Sequence, residues 1–178
     1  MAKQKTSGQP KRPAPKPQRE VDKLFARYAA YHQNSTNKLL QIIFVPLFLL
    51  GIYGLLWAIP FPKITFLGKY ADHLNFASFL MAVCVFMYYR LSPVLSYFIL
   101  FTFFFYSLII SQLLVWQENA GGALWQVCLV FTVIGLAGML IGYAAEKKNP
   151  GVEVKLSHIL IAPIYLWHLA LNKFSIKF

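Results

Sequence analysis

Charge is what this chain has least of. Only 13% of its 178 residues are charged and just six are acidic, where soluble domains carry roughly a quarter charged residues. A soluble enzyme and a nucleic-acid-binding domain are disfavoured on that ground. Cysteine is as scarce: Cys84 and Cys128 both fall inside apolar runs, and no CxxC or Cys/His spacing occurs. They behave there as small apolar residues, which leaves a disulfide scaffold and zinc chemistry without support. No short apolar segment with a small-residue cleavage site follows the basic N-terminus, so a signal peptide is not indicated. Pro10, Pro13, Pro15 and Pro17 argue against the amphipathic helix of a mitochondrial presequence. There is no internal repeat.

What is present is apolar: 58% hydrophobic and 17% aromatic residues. Charge-free intervals of 24 residues (Lys38 to Lys63), 17 (Asp72 to Arg90), 27 (Arg90 to Glu118) and 27 (Glu118 to Glu146) divide the chain. A helix rising ~1.5 Å per residue needs about 20 apolar residues to cross a ~30 Å hydrocarbon core. Membrane β-strands are too short to produce such runs, so the spans are expected to be helices. The fold class is therefore all-α, a polytopic membrane protein. Four transmembrane helices are expected at about 39–59, 74–89, 94–116 and 123–145. A short fifth segment at 156–171 fits a span, a re-entrant hairpin or an interfacial helix.

Local signals refine this outline. Residues 1–19 read as a disordered, basic, proline-rich tail ahead of a helical membrane domain over 20–178. Val21, Leu24, Phe25 and Tyr28 recur at helical spacing and suggest an amphipathic helix on the membrane surface. Pro60 and Pro62 stop the first span, while Ser92 and Pro93 can cap and open the third. So short a link makes spans two and three antiparallel neighbours. Gly135, Gly138 and Gly142 place small residues on one stripe of the fourth span, where another helix can approach closely.

The net charge of +11 is concentrated in the tail, since nine of the seventeen basic residues precede residue 39. A basic tail beside a span sets orientation and touches anionic head groups, without implying nucleic acid as a partner. With the N-terminus cytoplasmic, thirteen Lys and Arg lie inside, while only Lys63 and Lys69 lie outside. A bacterial inner membrane and the endoplasmic reticulum are both compatible.

Ionisable groups at the edge of so apolar a chain are candidates for chemistry. The segment Tyr31-His32-Gln33-Asn34-Ser35-Thr36-Asn37 precedes span one, and Gly142-Tyr143-Ala144-Ala145-Glu146 closes span four. Both fall at the cytoplasmic interface, so they can meet. Plainer roles stand beside this one: caps for Ser35, Thr36 and Asn37, a surface position for His32, and lysine partners for Glu146. His73 and His168 read as interfacial or packed histidines.

Tyr31-His32, four residues, Asn37, then an apolar run with Pro46 form one motif. Gly142, Glu146, Asn149-Pro150 and Leu160-Ile161-Ala162-Pro163 form another. Together they resemble the small membrane family of 2-hydroxy-fatty-acid dioxygenases over about residues 24–170. The resemblance implies a four- or five-helix membrane domain. It also implies iron(II)- and dioxygen-dependent shortening of a long-chain 2-hydroxy fatty acid by one carbon, the step a yeast member performs in phytosphingosine breakdown. Iron(II) is the cofactor so implied, and a membrane lipid or long-chain 2-hydroxy fatty acid the partner. The family carries histidines where this chain has Gln41 and Tyr143, a glutamine where it has Met139 and a glycine where it has Phe44. By the topology above, His32, His158 and Glu146 fall on the same face and offer a reduced set of two metal-ligand histidines and one catalytic carboxylate, although His158 falls where the family is merely apolar or small; Asn37, Gln41, Gly142 and Tyr143 stand at motif positions. Two functions remain: action on or binding of a hydroxy acid, and a non-catalytic membrane scaffold or interaction protein retaining only the fold.

Overall fold

The computed structural model describes residues 19–62, 68, 74–146 and 152–175, with side chains omitted over 152–156. The basic tail before Arg19, Lys63, Lys69, His73, and Asn149-Pro150 lie outside these residues. Every regular element described is a helix: α1 Glu20–Ala30, α2 Ser35–Ala58, α3 Phe76–Leu91, α4 Pro93–Ala120, α5 Leu124–Ala144 and α6 Val152–Lys173. Among the described residues, α2, α4 and α5 are long and apolar enough to cross a membrane; α3 is apolar but has only 16 residues. The expected short fifth segment is one continuous 22-residue helix that carries Pro163 within it, so it makes no hairpin.

The helix ends follow from local chemistry. Asn34 caps α2 by accepting the Thr36 N–H at 2.8 Å. Asn75 and Ser78 form a reciprocal capping box at the start of α3. Ser92 and Pro93 open α4 as expected, with Ser92 Oγ accepting from Leu95 N–H. Gly121 closes α4 at φ +70°, a left-handed conformation that glycine adopts without Cβ strain. Gln117 Oε1 then accepts Leu124 N–H at 2.7 Å and turns the chain directly into α5.

The centre of the bundle is the antiparallel pair α2 and α5, the most extensive helix contact in the fold. Its closeness comes from glycine on both partners. A methyl group on Gly142 would strike Asn37 Oδ1; on Gly138, the Phe44 ring; on Gly135, the backbone of Phe48. Further along, Gly51 meets Thr132 and the Cys128 carbonyl, and Gly54 meets Cys128 and Ile110. The α5 stripe was legible in the sequence; Gly51 and Gly54 complete it from the other side. Where the stripe meets Phe44 rather than a glycine, Gly138 supplies all the clearance.

Polar side chains on these apolar helices tie neighbours together, as expected where no water competes. Tyr106 Oη donates to the Pro46 carbonyl at 2.9 Å, joining α4 to α2. Trp167 Nε1 donates to Thr102 Oγ1 at 2.9 Å, and Tyr88 Oη to the Leu160 carbonyl at 2.6 Å, fixing α6 against α4 and α3. Outward-facing positions are large and apolar, including Phe86 (64% exposed), Tyr97 (65%) and Ile141 (63%). Such a girdle suits hydrocarbon rather than water. The apolar face of α1, which the spacing assigns to the membrane surface, is instead spent on α6: Val21, Phe25 and Tyr28 are buried, and Phe25 packs on Tyr165 and His168.

Candidate functional site

The start of α2 and the end of α5 meet, and two segments about 110 residues apart are bonded there. Glu146 Oε1 accepts the Asn34 backbone N–H at 2.9 Å and the Asn37 side-chain amide at 2.7 Å. Asn34 Nδ2 returns a bond to the Ala145 carbonyl at 2.9 Å. Each helix thereby satisfies terminal groups of the other: an anion sits at the N-terminal end of α2, and a donor reaches a terminal carbonyl of α5. Asn37 Oδ1 is in turn bonded by Gln41 Nε2 at 3.2 Å, one helical turn deeper. Gly142 faces both amides, and only a residue without Cβ fits there.

Beside this latch lies a cluster of aromatic and imidazole rings. Tyr28 and His32, one turn apart, stack at 3.9 Å with planes 4° from parallel. His158 of α6 lies 5.3 Å from His32 and 5.0 Å from Tyr28, measured between ring centroids. Tyr143 faces His32 at 5.2 Å, and its Oη is 3.5 Å from His158 Nδ1. Water is largely excluded: Asn37 and His158 are 0% exposed, His32 and Gln41 2%. His32 Nδ1 lies 2.8 Å from the Tyr28 carbonyl; a carbonyl only accepts, so that nitrogen carries the proton and Nε2 keeps a lone pair.

Burial pushes the His32 pKa below its usual range, against the opposing pull of the Tyr28 carbonyl and the Glu146 charge. Partial desolvation raises the Glu146 carboxyl, but the Asn37 amide and the Asn34 and Gln33 backbones outweigh it and hold the group below its usual range. The neutral imidazole and the ionised carboxylate are thus both favoured at neutral pH.

The structure brings His32, His158, Tyr143, Asn37, Gln41, Gly142 and Glu146 into one end of the bundle. His32 is buried rather than at the surface, and Glu146 bonds across to α2. Glu146 spends one oxygen on Asn34 and Asn37, and among the described residues no group of three His, Cys, Asp or Glu side chains is disposed to hold a metal. His168 packs on Phe25, away from the pair. Two participants were missed in the sequence. Tyr28 stands four residues before His32 on the same helical face, a readable signal; Asn34 carries none, because its partners are distant in the chain.

An apolar groove of about 480 Å³ lies between α2, α4 and α6, lined by Ile42, Val45, Thr102, Tyr106, Pro163 and Trp167 among others. Its lining begins next to Gln41 on α2 and five residues beyond His158 on α6. A family model described as 2-hydroxy-palmitic acid dioxygenase Mpo1-like matches residues 18–174. Comparison with curated proteins and with solved structures gave no match.

Proposed function

The chain belongs to the Mpo1-like family of 2-hydroxy-palmitic acid dioxygenases, and on that premise we propose that it acts on, or binds, a long-chain 2-hydroxy acid at the His32–His158 cluster. One observation carries the reading: a dry, imidazole-bearing cluster sits at the end of a bundle whose helices α2 and α6 also line an apolar groove. A hydroxy carboxylate can enter from the head-group side while its alkyl chain stays among apolar side chains. The positive-inside count supports a cytoplasmic side for that end and for the N-terminus. The basic tail then faces anionic head groups.

The implied cofactor is iron(II), which supplies dioxygen activation when bound. The residues that fit it are His32, whose Nε2 offers a lone pair, and His158. Glu146 serves this pair from outside, as the carboxylate that fixes the segment between His32 and Asn37. Tyr143, against both imidazoles, holds their ring positions. The second reading, a non-catalytic membrane scaffold or interaction protein, is favoured by Gln41 and Tyr143 standing where the resemblance implies histidines.

Purified protein supplied with iron(II), dioxygen and 2-hydroxypalmitate separates the readings. Binding is followed through Trp167, which lines the groove, and turnover through an acid one carbon shorter. Binding with turnover supports the enzyme, and binding alone a lipid-binding relative. Failure to bind 2-hydroxypalmitate in preference to palmitate overturns the proposal.

A further inference from the structure

Lys173 lines the apolar groove between α2, α4 and α6, and among the described residues it is the only charged residue that does. The other lining side chains leave a ligand nothing to bond. Thr102 Oγ1 accepts Trp167 Nε1–H at 2.9 Å and itself donates to the Phe98 carbonyl at 2.8 Å, while Tyr106 Oη is spent on the Pro46 carbonyl. What remains is hydrocarbon, from Ile42, Val45 and Leu49 on α2 to Leu166 on α6. Such walls accept an alkyl chain and penalise a polar group, which would be buried there without a partner.

The size and opening of the groove narrow the ligand further. Its volume of about 480 Å³ lies within the ~300–1,000 Å³ typical of ligand sites. Ile42 and Leu49 stand seven residues apart on α2, so that wall runs roughly 10 Å along the helix. A single acyl chain suits a trough of that length. Ile42 is 51% exposed and Leu169 37%, so the sides of the groove open outward from the bundle, where lipid surrounds it. A second chain of the same lipid can therefore stay in the bilayer.

The Lys173 ammonium has no counterion among the described residues. Asp22 is paired with Arg19 and Glu20 with Lys23, and Glu146 is held by Asn34 and Asn37. Glu118 stands twelve residues past Tyr106 on α4, roughly 18 Å along the helix from the groove. The position of Lys173 in the last turn of α6 places a cation near terminal carbonyls, but supplies no anion. The ligand that completes the groove is thus hydrocarbon along its length and anionic at its head. A carboxylic acid beside hydrocarbon holds its proton more tightly than in water, whereas a phosphodiester stays ionised, and phospholipid is the amphiphile that a bilayer supplies at this surface.

We infer that the groove holds one acyl chain of an anionic phospholipid, with the Lys173 ammonium paired to its head group. The site is separate from the imidazole cluster and does not depend on the hydroxy-acid reading. A hydroxy acid whose chain takes the same groove must displace the phospholipid, and Trp167 stands where that exchange is felt.

The test uses the full chain reconstituted in phosphatidylcholine vesicles that contain a small share of one brominated amphiphile: phosphatidylglycerol, phosphatidylcholine or free palmitate, each with bromine on its chain. Bromine quenches tryptophan fluorescence only at short range, so Trp167 reports a chain in the groove. Its signal is isolated by replacing Trp57, Trp116 and Trp125 with Phe, or by difference between the parent and Trp167→Phe if that triple variant does not fold. Brominated phosphatidylglycerol is expected to quench Trp167 about fivefold more effectively than brominated phosphatidylcholine, the scale of one lysine facing an anionic lipid. The preference should fall to about onefold in Lys173→Gln, where that attraction is gone, and persist in Arg90→Gln, an exposed cation that does not line the groove. Equal quenching by the two phospholipids, a preference that survives Lys173→Gln, or stronger quenching by palmitate than by phosphatidylglycerol overturns the inference. Loss of the phospholipid preference with 2-hydroxypalmitate still bound would leave the proposed function standing. A preserved preference without 2-hydroxypalmitate binding would remove that function alone.

Discussion

Asn37 and Glu146, 109 positions apart, are joined by a 2.7 Å hydrogen bond that closes the end of the α2–α5 pair. The same carboxylate oxygen also accepts the Asn34 backbone N–H, so one side chain secures the entry to α2 and the exit of α5. Glutamine at 146 keeps an acceptor oxygen but loses the charge, and alanine loses both. Charge-assisted hydrogen bonds contribute about 1.5–3 kcal/mol each, less where solvent reaches them. Glu146→Ala is expected to lower stability by about 1–2 kcal/mol, a fall of roughly 3–6 °C in Tm. Glu146→Gln should fall between Glu146→Ala and the unmodified protein. Thermal denaturation in detergent checks the order, and an alanine variant as stable as the parent would show that the latch contributes nothing.

The glycine stripe predicts a graded response. A Cβ at Gly135 meets the backbone of Phe48, which cannot rotate away, whereas a Cβ at Gly54 meets the Cys128 side chain and the tip of Ile110. Overpacking of a fitted interface costs typically about 1–3 kcal/mol. Gly135→Ala belongs at the upper end of that range and Gly54→Ala at the lower. Chemical or thermal unfolding of the two variants provides the comparison; equal losses would mean that α2 and α5 separate freely and that the stripe does not set their spacing.

Much of this architecture was legible because hydrophobic runs and small-residue stripes are periodic properties of sequence. The helices α2, α4 and α5, the Ser92–Pro93 junction and the Gly135–Gly138–Gly142 face all followed from spacing. The partners of polar residues did not. The topology let the segments holding Asn37 and Glu146 meet at one interface, as they do, but nothing near Asn37 singles out Glu146 as its bond partner, and His158 meets His32 only because α6 folds back along α1. The face of α1 was read as amphipathic, but spacing cannot distinguish a lipid surface from the side of α6 as its cover. The family resemblance brought Gln41 and Tyr143 to notice, and the structure adds Tyr28 to the same neighbourhood.

His32 gives the fold a definite pH dependence. Its folded pKa lies below the ordinary value, so below about pH 6.5 the unfolded chain takes up a proton that the folded chain resists. Stability is therefore fully present above that pH and is lost progressively as pH falls toward the folded value. Glu146, also depressed, acts in the same direction in a lower window, beginning near the ordinary carboxylate range. Unfolding midpoints at pH 7.5 and 5.5 should differ in the parent protein and differ less in His32→Gln, which has no titrating ring. A His32→Gln variant with an unchanged slope would assign the effect to other groups.

Imidazole introduced at position 143 tests how far the ring cluster already serves a metal. Tyr143 lies against both His32 and His158, and its Oη is 3.5 Å from His158 Nδ1. Tyr143→His places a third neutral nitrogen donor among the existing rings, without disturbing the Asn37–Glu146 latch. Gln41→His is a different change, because it removes the amide that donates to Asn37 Oδ1 and so weakens the latch as it adds a ligand. Tyr143→His is thus expected to raise iron(II) or cobalt(II) affinity by about tenfold or more, an amount equal to ~1.4 kcal/mol. Gln41→His alone should gain less and lose thermal stability, and the double variant should bind more tightly than either, since ligands of one site act together. Metal titration with parallel melting curves reads both quantities. If Tyr143→His leaves metal affinity unchanged while the protein stays folded, the ring cluster is a packing arrangement, and the lone pairs of His32 and His158 do not share an ion.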